Sequence, residues 1–228
     1  MVGVSAQPDP LAGRLEHVRW VGGGSGAGKS TVARRLAEEH DLRVYRSDET
    51  IQAHVGRSNP VDHPLLHAFL AMDMDERWLN RSPQVMLESF HAFEGEAFEL
   101  IVDDLLALPM DTPVLAEGFR LLPRLVAPLL GRLDQAVWLV PSPQFRRAAF
   151  AARGFTWEIP GKTSEPERAL QNLLERDRLF TDQVAAESAG LGLAVIEVDV
   201  GLSVETLTEL VGDALGLKLR PSRAGCNV

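Results

Sequence analysis

The sequence has little cysteine and no long hydrophobic run. Its single cysteine, Cys226, excludes a disulfide within the chain and a zinc site built on several cysteines, which is typical of proteins in a reducing compartment. No apolar run approaches the roughly 18 residues that a membrane-spanning helix needs. Residues 1–15 also lack the basic and apolar regions of a secretion signal. We therefore expect a cytoplasmic protein without a membrane partner.

Positive charge is also scarce. The net charge is −9, and only three of the 23 basic residues are lysine, namely Lys29, Lys162 and Lys218. A protein that holds a long nucleic acid usually presents a basic surface, so this balance disfavours a nucleic-acid partner. The 45% of hydrophobic and 24% of charged residues are instead typical of a globular protein.

Short apolar segments alternate with helical segments along most of the chain. A helix is predicted over residues 30–40, and strands are predicted over residues 18–21, 42–45, 113–116, 135–140 and 193–198. This alternation predicts an α/β fold with a parallel sheet covered by helices on both faces. Residues 1–14 and 220–228 lack periodicity and are predicted to be a flexible arm and a flexible tail.

The gap between the second and third strands is too long for one connection. We predict that residues 50–112 form a helical lobe that is inserted into the sheet domain. Within it, Ser82 and Pro83 are typical of an N-cap and a first helical position. The apolar residues that follow at spacings of three and four predict one long amphipathic helix. They are Met86, Phe90, Phe93, Ala97, Ile101, Leu105 and Leu108.

The most specific pattern is the glycine-rich segment that follows the first strand. Residues 23–30, GGSGAGKS, fit the phosphate-binding motif G-x-x-x-x-G-K-[ST] completely. The glycines let successive N–H groups point at one phosphate chain, and the following helix adds its positive end. Lys29 would reach the β- and γ-phosphates, and the Ser30 hydroxyl would bind Mg²⁺. The motif thus predicts ATP and Mg²⁺ as cofactors. The predicted nucleotide-binding residues are Gly23, Gly24, Ser25, Gly26, Ala27, Gly28, Lys29, Ser30 and Thr31.

Three further segments follow in the order in which P-loop small-molecule and nucleotide kinases carry them. Residues 45–49, YRSDE, end the second strand, where many of these kinases have an acidic residue. Residues 115–120, LAEGFR, are similar to the strand-end Asp-Gly-Phe-Pro-Arg of adenylate kinases, but with Glu117 for Asp and without the proline. The arginine-bearing residues 145–153, followed by a loop through residues 160–161, stand where these kinases have a lid.

Over about residues 18–200 the chain therefore resembles the P-loop kinases. The resemblance implies the strand order 2-3-1-4-5, a single kinase domain over residues 15–219 and a lid over residues 143–167. It also implies that the γ-phosphoryl group of ATP moves to a hydroxyl or phosphate of a small molecule. A GTPase is disfavoured because no lysine stands in an Asn-Lys-x-Asp type segment, and the chain is short for a motor or an AAA-type machine.

Two acids are predicted to act in this transfer. Asp48 follows the second strand, whose end opens onto the ligand crevice of such sheets, and its carboxylate could take the proton of an acceptor hydroxyl. The alternative role for Asp48 is a helix N-cap, and Glu49 is the second choice as base. Glu117 ends the third strand and is predicted to bind Mg²⁺ together with Ser30 and to face the substrate.

Cations are predicted to neutralise the charge that spreads over the γ-phosphoryl oxygens. Lys29, Arg147 and Arg178 are the predicted catalytic cations. Asp177 falls on the apolar stripe of a helix, so a network with neighbouring arginines at the base of the lid would satisfy it. Other arginines could replace those named, and they are Arg146, Arg153 and Arg176.

The inserted lobe is predicted to choose the acceptor. Arg81 lies in its loop over residues 77–82, and Arg120 follows the third strand, so both are predicted to bind the substrate. The histidines have no spacing typical of a metal site and are predicted to be ordinary surface or lobe residues. They are His54, His63, His67 and His91.

Two other functions stay open. A polynucleotide 5′-hydroxyl kinase also uses an aspartate after its second strand, although the acidic balance disfavours it. A non-catalytic ATP-dependent switch would need no base such as Asp48. The expected partner is a small-molecule acceptor, and the oligomeric state stays open.

Overall fold

A computed structural model describes residues 10–153 and 158–217, and one parallel sheet organises them. Its order is β2-β3-β1-β4-β5, and every neighbouring pair of strands is parallel. This confirms the predicted fold class and strand order. The strands are β1 (Val18–Gly23), β2 (Arg43–Arg46), β3 (Val114–Glu117), β4 (Ala136–Pro141) and β5 (Ala194–Val198).

Helices cover the sheet and build the inserted lobe. Helices α1 (Pro10–Arg14), α2 (Lys29–His40), α9 (Pro123–Val126), α10 (Pro143–Arg153), α11 (Glu158–Gly161), α12 (Pro166–Gly190) and α13 (Val204–Ala214) belong to the segments outside residues 50–112. Residues 50–112 contain α3 (Ile51–Arg57), α4 (Pro64–Ala71), α5 (Met74–Trp78), α6 (Pro83–Ser89), α7 (His91–Glu94) and α8 (Phe98–Leu106). Among the residues that the structure describes, no helix has both the length and the apolar character that crossing a bilayer requires.

The two faces of the sheet have separate cores because strand side chains alternate between faces. On one face Trp20 and Trp138 are fully buried with Phe180 of α12. On the other face Val21 and Leu139 pack with apolar residues of α2 and α13. The strands are therefore fixed on both sides, and their carboxyl ends form a rigid edge for a site.

The predicted long helix after Ser82 is wrong, because the chain there forms three short helices. Phe90 has extended backbone angles between α6 and α7, and Gly95 and Ala97 have positive φ values of 91° and 62° between α7 and α8. Left-handed residues end helices. At Gly95 the backbone lies so close to Leu125 that a Cβ atom would be 2.6 Å from its Cδ1. Packing against the rest of the domain thus overrides the helical spacing.

The predicted flexible arm overlaps with a helix. Residues 10–14 form α1, in which Ala12 is buried and Leu11 packs against the core, so the expectation of an arm as far as residue 14 needs correction. Residues 1–9, 154–157 and 218–228 lie outside the described residues, and with them the predicted tail and the centre of the predicted lid.

Candidate functional site

The glycine-rich segment forms a loop between β1 and α2. Three of its glycines have positive φ angles, 123° at Gly23, 78° at Gly26 and 84° at Gly28, which residues with a side chain rarely adopt. Gly24 is needed for space, since a Cβ atom there would lie 2.5 Å from Thr181 Oγ1. The local sequence thus allows the tight turns that let backbone N–H groups converge on a phosphate chain.

Lys29 begins α2 and is buried. Its Nζ donates to the carbonyl oxygens of Gly24 at 2.8 Å and Gly23 at 3.2 Å. Burial raises the pKa of both Asp48 and Glu117, and the positive charge of Lys29 opposes this rise. One lysine therefore links the phosphate loop to the two acids that the sequence singles out.

Asp48 and Glu117 lie at the ends of neighbouring strands. The N–H of Ser47 donates to the Glu117 carbonyl oxygen at 2.9 Å, which extends the pairing of β2 and β3 by one residue. The Asp48 carboxylate, directly after Ser47, accepts from the backbone N–H of Phe119. Helix α3 begins later, with Thr50 at its N-cap position, so Asp48 does not cap this helix.

Burial governs the protonation of both acids. It raises the pKa of Asp48, against the opposing effects of Lys29, the Ser47 hydroxyl and the Phe119 N–H. It also raises the pKa of Glu117, which is 2% exposed, against a hydrogen bond from the Ser30 hydroxyl and the charge of Lys29. The negative charge of Asp48 also contributes to the raised pKa of Glu117.

The site offers oxygen atoms suited to a hard cation. The Glu117 carboxylate accepts from the Ser30 hydroxyl, while its Oε2 atom is buried and has no hydrogen-bond partner among the described residues. A buried carboxylate oxygen needs a partner, and Mg²⁺ prefers oxygen ligands. Within the described residues no group of three or more His, Cys, Asp or Glu side chains could hold a metal by itself. The residues therefore fit a Mg²⁺ ion that takes further ligands from nucleotide and water.

The structure does not bring Arg147 and Arg178 to the phosphate loop. Arg147 is exposed, and Arg178 pairs with Glu175 at 2.7 Å and Asp182 at 2.6 Å on the outer side of α12. Both line a separate surface depression next to Pro143. Arg146 precedes Arg147 by one helical position and Arg176 precedes Arg178 by two, which are rotations of about 100° and 200° around the helix. Arg146 and Arg176 are buried instead.

Arg146 and Arg176 are buried near the loop. Arg146 Nη2 donates to Thr181 Oγ1 at 2.5 Å, and this threonine touches the loop at Gly24. Arg176 Nη2 pairs with the buried Asp177 at 2.6 Å. The predicted network of Asp177 with a neighbouring arginine is therefore present. Arg153 is the last residue of α10, and its side chain lies outside the described part.

Arg81 and Arg120, the predicted substrate-binding arginines, are occupied by protein groups. Arg120 is buried and donates to the carbonyl oxygens of Ser47 at 3.0 Å and Ala97 at 3.1 Å. Arg81 donates to the Glu76 carbonyl oxygen at 2.8 Å and to other groups of the lobe. Neither lines the cleft at the phosphate loop. Arg120 instead ties the end of β2 to the lobe.

A cleft of about 440 Å³ opens from the phosphate loop into the lobe. Asp48 and residues 25–31 line one end of it, and Arg176 and Asp177 line the other together with several rings. Sequence reasoning missed the rings. Five of the nine phenylalanines line the cleft, which is a concentration that only the fold brings together. The lining rings are Phe69, Trp78, Phe90, His91, Phe93, Phe119 and Phe150.

The four histidines lie within residues 50–112, and three of them are buried there instead of lying on the surface. His63 hydrogen-bonds Glu99, and His54 joins Arg120 to Asp104 through its two ring nitrogens at 3.0 Å and 2.8 Å. His91 lines the cleft, and burial lowers its pKa to about 4, so its imidazole is neutral.

Gly118 sets the position of Asp48, and its replacement by alanine tests this. Gly118 has a φ of 147°, and a Cβ atom there would lie 1.9 Å from Ser47 Oγ and 2.6 Å from Asp48 Oδ1. Gly118→Ala must therefore displace the carboxylate, and we expect turnover to fall by roughly 10²-fold, as for an ångström-scale misplacement. Steady-state kinetics measure the effect. Gly56→Ala is the matched control, because a Cβ atom there meets nothing within 4 Å; an equal loss in both variants would contradict the prediction.

Most of the chain matches the model of a known family. The family model AAA_33, described as an AAA domain, matches residues 18–178. A comparison with curated proteins found no match.

Solved structures with a similar fold share little sequence with the chain. An uncharacterized protein from Eubacterium ventriosum has 13% identity and a TM-score of 0.47, with 88% of this chain and 98% of that chain covered. Shikimate kinase from Acinetobacter baumannii, in complex with shikimate, has 17% identity and a TM-score of 0.40, with 92% and 99% covered. NadR protein in complex with NR has 16% identity and a TM-score of 0.38, with 92% and 55% covered. Since the family model spans more than half of the chain, the chain belongs to the AAA_33 family, a kinase-like group of nucleotide-binding P-loop NTPases.

Proposed function

We propose that the protein is an ATP-dependent phosphotransferase that moves the γ-phosphoryl group to a hydroxyl group of a small molecule. The observation that carries this proposal is the position of Asp48, whose carboxylate shares one cleft with the phosphate loop. A protein that only binds Mg²⁺-nucleotide needs no second carboxylate beyond Glu117, which would hold the metal. A base in this position serves an acceptor that must lose a proton.

In the proposed reaction the acceptor oxygen attacks the γ-phosphorus while the bond to the β–γ bridging oxygen breaks. ADP leaves with the electron pair of that bond, and Asp48 takes the proton of the acceptor hydroxyl. Lys29 would move from its contacts with the loop carbonyl oxygens to the phosphates, which offer a stronger negative charge. Ser30 and Glu117 would hold Mg²⁺, which when bound neutralises phosphate charge.

The cations of the lid are part of the proposal. Arg146 is buried and reaches Thr181, which lies against the phosphate loop at Gly24, and this favours Arg146 over Arg147 and Arg178 for contact with the phosphoryl group. A lid over residues 143–167 stays a prediction, because residues 154–157 lie outside the described part.

The proposal is tested by incubating the protein with Mg²⁺-ATP and a panel of acceptors, with products read by mass spectrometry. We expect an acceptor that gains one phosphoryl group in an amount equal to the ADP formed. Transfer to the 5′-hydroxyl of an oligonucleotide alone would support a polynucleotide kinase. Tight ATP binding without transfer to any class of acceptor would support a switch protein and contradict the proposal.

Glu117→Gln should raise the Mg²⁺ concentration that half-maximal turnover requires. The amide keeps the shape of the side chain but loses the charge that would hold the cation beside Ser30. We expect an increase of roughly ten-fold or more, since loss of a charged partner costs about 1.5–3 kcal/mol. Titration of Mg²⁺ at fixed ATP measures it. The exposed acid Glu49, in Glu49→Gln, is the control, and an unchanged Mg²⁺ requirement in Glu117→Gln would remove the metal role.

A further inference from the structure

The part of the cleft that lies in the lobe has an aromatic wall, made by Phe69, Trp78, Phe90, Phe93 and Phe119. Their rings contact one another edge to face, with centroids 5.4 Å apart for Phe69 and Trp78, 5.1 Å for Phe69 and Phe90, and 4.8 Å for Phe90 and Phe93. Phe119 joins the wall at 5.9 Å from Phe93. Phe69, Phe90 and Phe119 remain only partly buried, so the wall presents ring surface to the cleft.

The charged side chains beside this wall, Arg176 and Asp177, neutralise each other. The Arg176 guanidinium lies 5.0–5.1 Å from the ring centroids of Trp78, Phe90 and Phe93, and both Nε and Nη2 donate to Asp177 Oδ1 at 3.0 Å and 2.6 Å. Together, the Arg176 guanidinium and the Asp177 carboxylate carry no net charge. The remaining cation among the described lining residues is Lys29, which belongs to the phosphate loop.

This balance disfavours an acceptor with a phosphate or carboxylate group. Burying an anion against rings without a free cation costs several kcal/mol. The other arginines near the wall donate to backbone carbonyl oxygens, and they are Arg77, which lies 4.8 Å from the Phe69 ring centroid, Arg81 and Arg120. His91 supplies no positive charge either, because it is neutral. An uncharged acceptor meets none of these penalties.

Two polar side chains beside the aromatic wall each have a nitrogen atom without a hydrogen-bond partner among the described residues. Arg176, which is 6% exposed, has no hydrogen-bond partner for Nη1 among the described residues, and His91, which is 4% exposed, has none for Nδ1. Both side chains line the cleft. Buried polar groups are normally satisfied, so a ligand with hydrogen-bonding substituents fits between them.

We propose that the acceptor is an uncharged, ring-bearing alcohol. Its ring packs against the aromatic wall, a polar substituent accepts from Arg176 Nη1, and its hydroxyl lies at Asp48. The cleft volume of about 440 Å³ must also admit the γ-phosphoryl end of ATP, so the acceptor is a small molecule with one or two rings. This inference rests on the proposed function and names the substrate class of the same site.

A series of three probes tests the inference. They are glycerol, 3-phenylpropane-1,2-diol, in which a phenyl group replaces one hydroxyl of glycerol, and glycerol 3-phosphate, in which one hydroxyl carries an anionic phosphate. Ligand-observed NMR measures their binding in the presence of Mg²⁺ and a non-hydrolysable ATP analogue. We expect the ring-bearing diol to bind about ten-fold or more tightly than either of the other two, since a buried ring removes a large apolar area from water. Binding of the diol no tighter than glycerol, or preference for glycerol 3-phosphate, would overturn the inference.

Variants distinguish a loss of ring contacts in the aromatic wall from a general effect on the fold. Phe69→Ala should weaken binding of the ring-bearing diol by about five-fold or more, whereas Phe98→Ala, at a partly buried ring outside the cleft, should not. Asp177→Asn should leave Arg176 with an unbalanced charge and make glycerol 3-phosphate bind more tightly. An equal effect of Phe69→Ala and Phe98→Ala on diol binding would contradict the wall. If the ATP analogue itself fails to bind, the proposed phosphotransferase fails, while the probe series repeated without nucleotide still decides the acceptor class.

Discussion

Replacing Asp48 by asparagine should reduce phosphoryl transfer by roughly 10²- to 10⁴-fold, the usual contribution of a general base. The amide keeps the size of the side chain and its hydrogen bond from the Phe119 N–H, but it has no basic oxygen for the proton of the acceptor. The affinity for ATP should change little, because the phosphate loop keeps its N–H groups and Lys29. Initial rates with the true acceptor and calorimetric titration with an ATP analogue measure the two quantities separately.

The pH profile gives an independent check on Asp48. Burial raises its pKa, so the base loses its ionised form, and the enzyme its activity, as the pH falls through a value above that of an ordinary aspartate. The acidic limb of kcat/KM should therefore lie above the ordinary range and disappear in Asp48→Asn. Glu49→Gln is the control, since Glu49 is exposed and contacts Arg46 at 3.7 Å. Near-full transfer in Asp48→Asn together with a loss in Glu49→Gln would transfer the role of base to Glu49.

Replacing Lys29 by alanine should lower turnover by roughly 10²- to 10³-fold or more, and weaken ATP binding. A buried ammonium group acts strongly on charge that develops at the γ-phosphoryl oxygens, because little water screens it there. The variant also loses the hydrogen bonds to the carbonyl oxygens of Gly23 and Gly24. Single-turnover kinetics at saturating ATP distinguish the loss of catalysis from the loss of binding.

The control for this second prediction is Arg34→Ala, which removes an exposed positive charge from the same helix. We expect its turnover and ATP affinity to match those of the unchanged protein, and its thermal midpoint to show whether α2 tolerates the loss of a long side chain. Equal ATP affinity and turnover in Lys29→Ala would remove the central claim of a phosphate-binding loop.

The sequence predicted the phosphate loop and the strand ends of the site better than the side chains that line its cleft. The glycine motif and the strand ends that carry Asp48 and Glu117 are local features, so short segments of sequence specify them. At most strand ends, the predicted boundary differs from the observed one by one or two residues. The strand order came from the resemblance to kinases, because it depends on long-range pairing that no single segment encodes.

Which side chains line the cleft depends on the directions in which they point, and only the folded chain defines these directions. Arg146 and Arg147 are neighbours in an arginine-rich helix, and a rotation of 100° decides which of them is buried. The aromatic wall combines rings from α4, α5 and the segments around α7 with Phe119 after β3, across about fifty residues of sequence. The left-handed residues Gly95 and Ala97 bring these pieces together, and their conformations follow from contacts with Leu125 and Arg120.

The pairing of β2 with β3 has a consequence for ATP hydrolysis in the absence of an acceptor. Because the two acids follow adjacent strands, which lie about 4.8 Å apart, the sheet holds them in place before any acceptor arrives. Under the proposed chemistry such a prearranged centre would also accept water in place of the acceptor hydroxyl and hydrolyse ATP to ADP and phosphate, without phosphorylating an acceptor. The rings that line the cleft would oppose this leak, since an apolar wall holds water poorly. A slow acceptor-independent ATPase that accelerates when the wall is trimmed would then report how well the protein distinguishes its acceptor from the solvent.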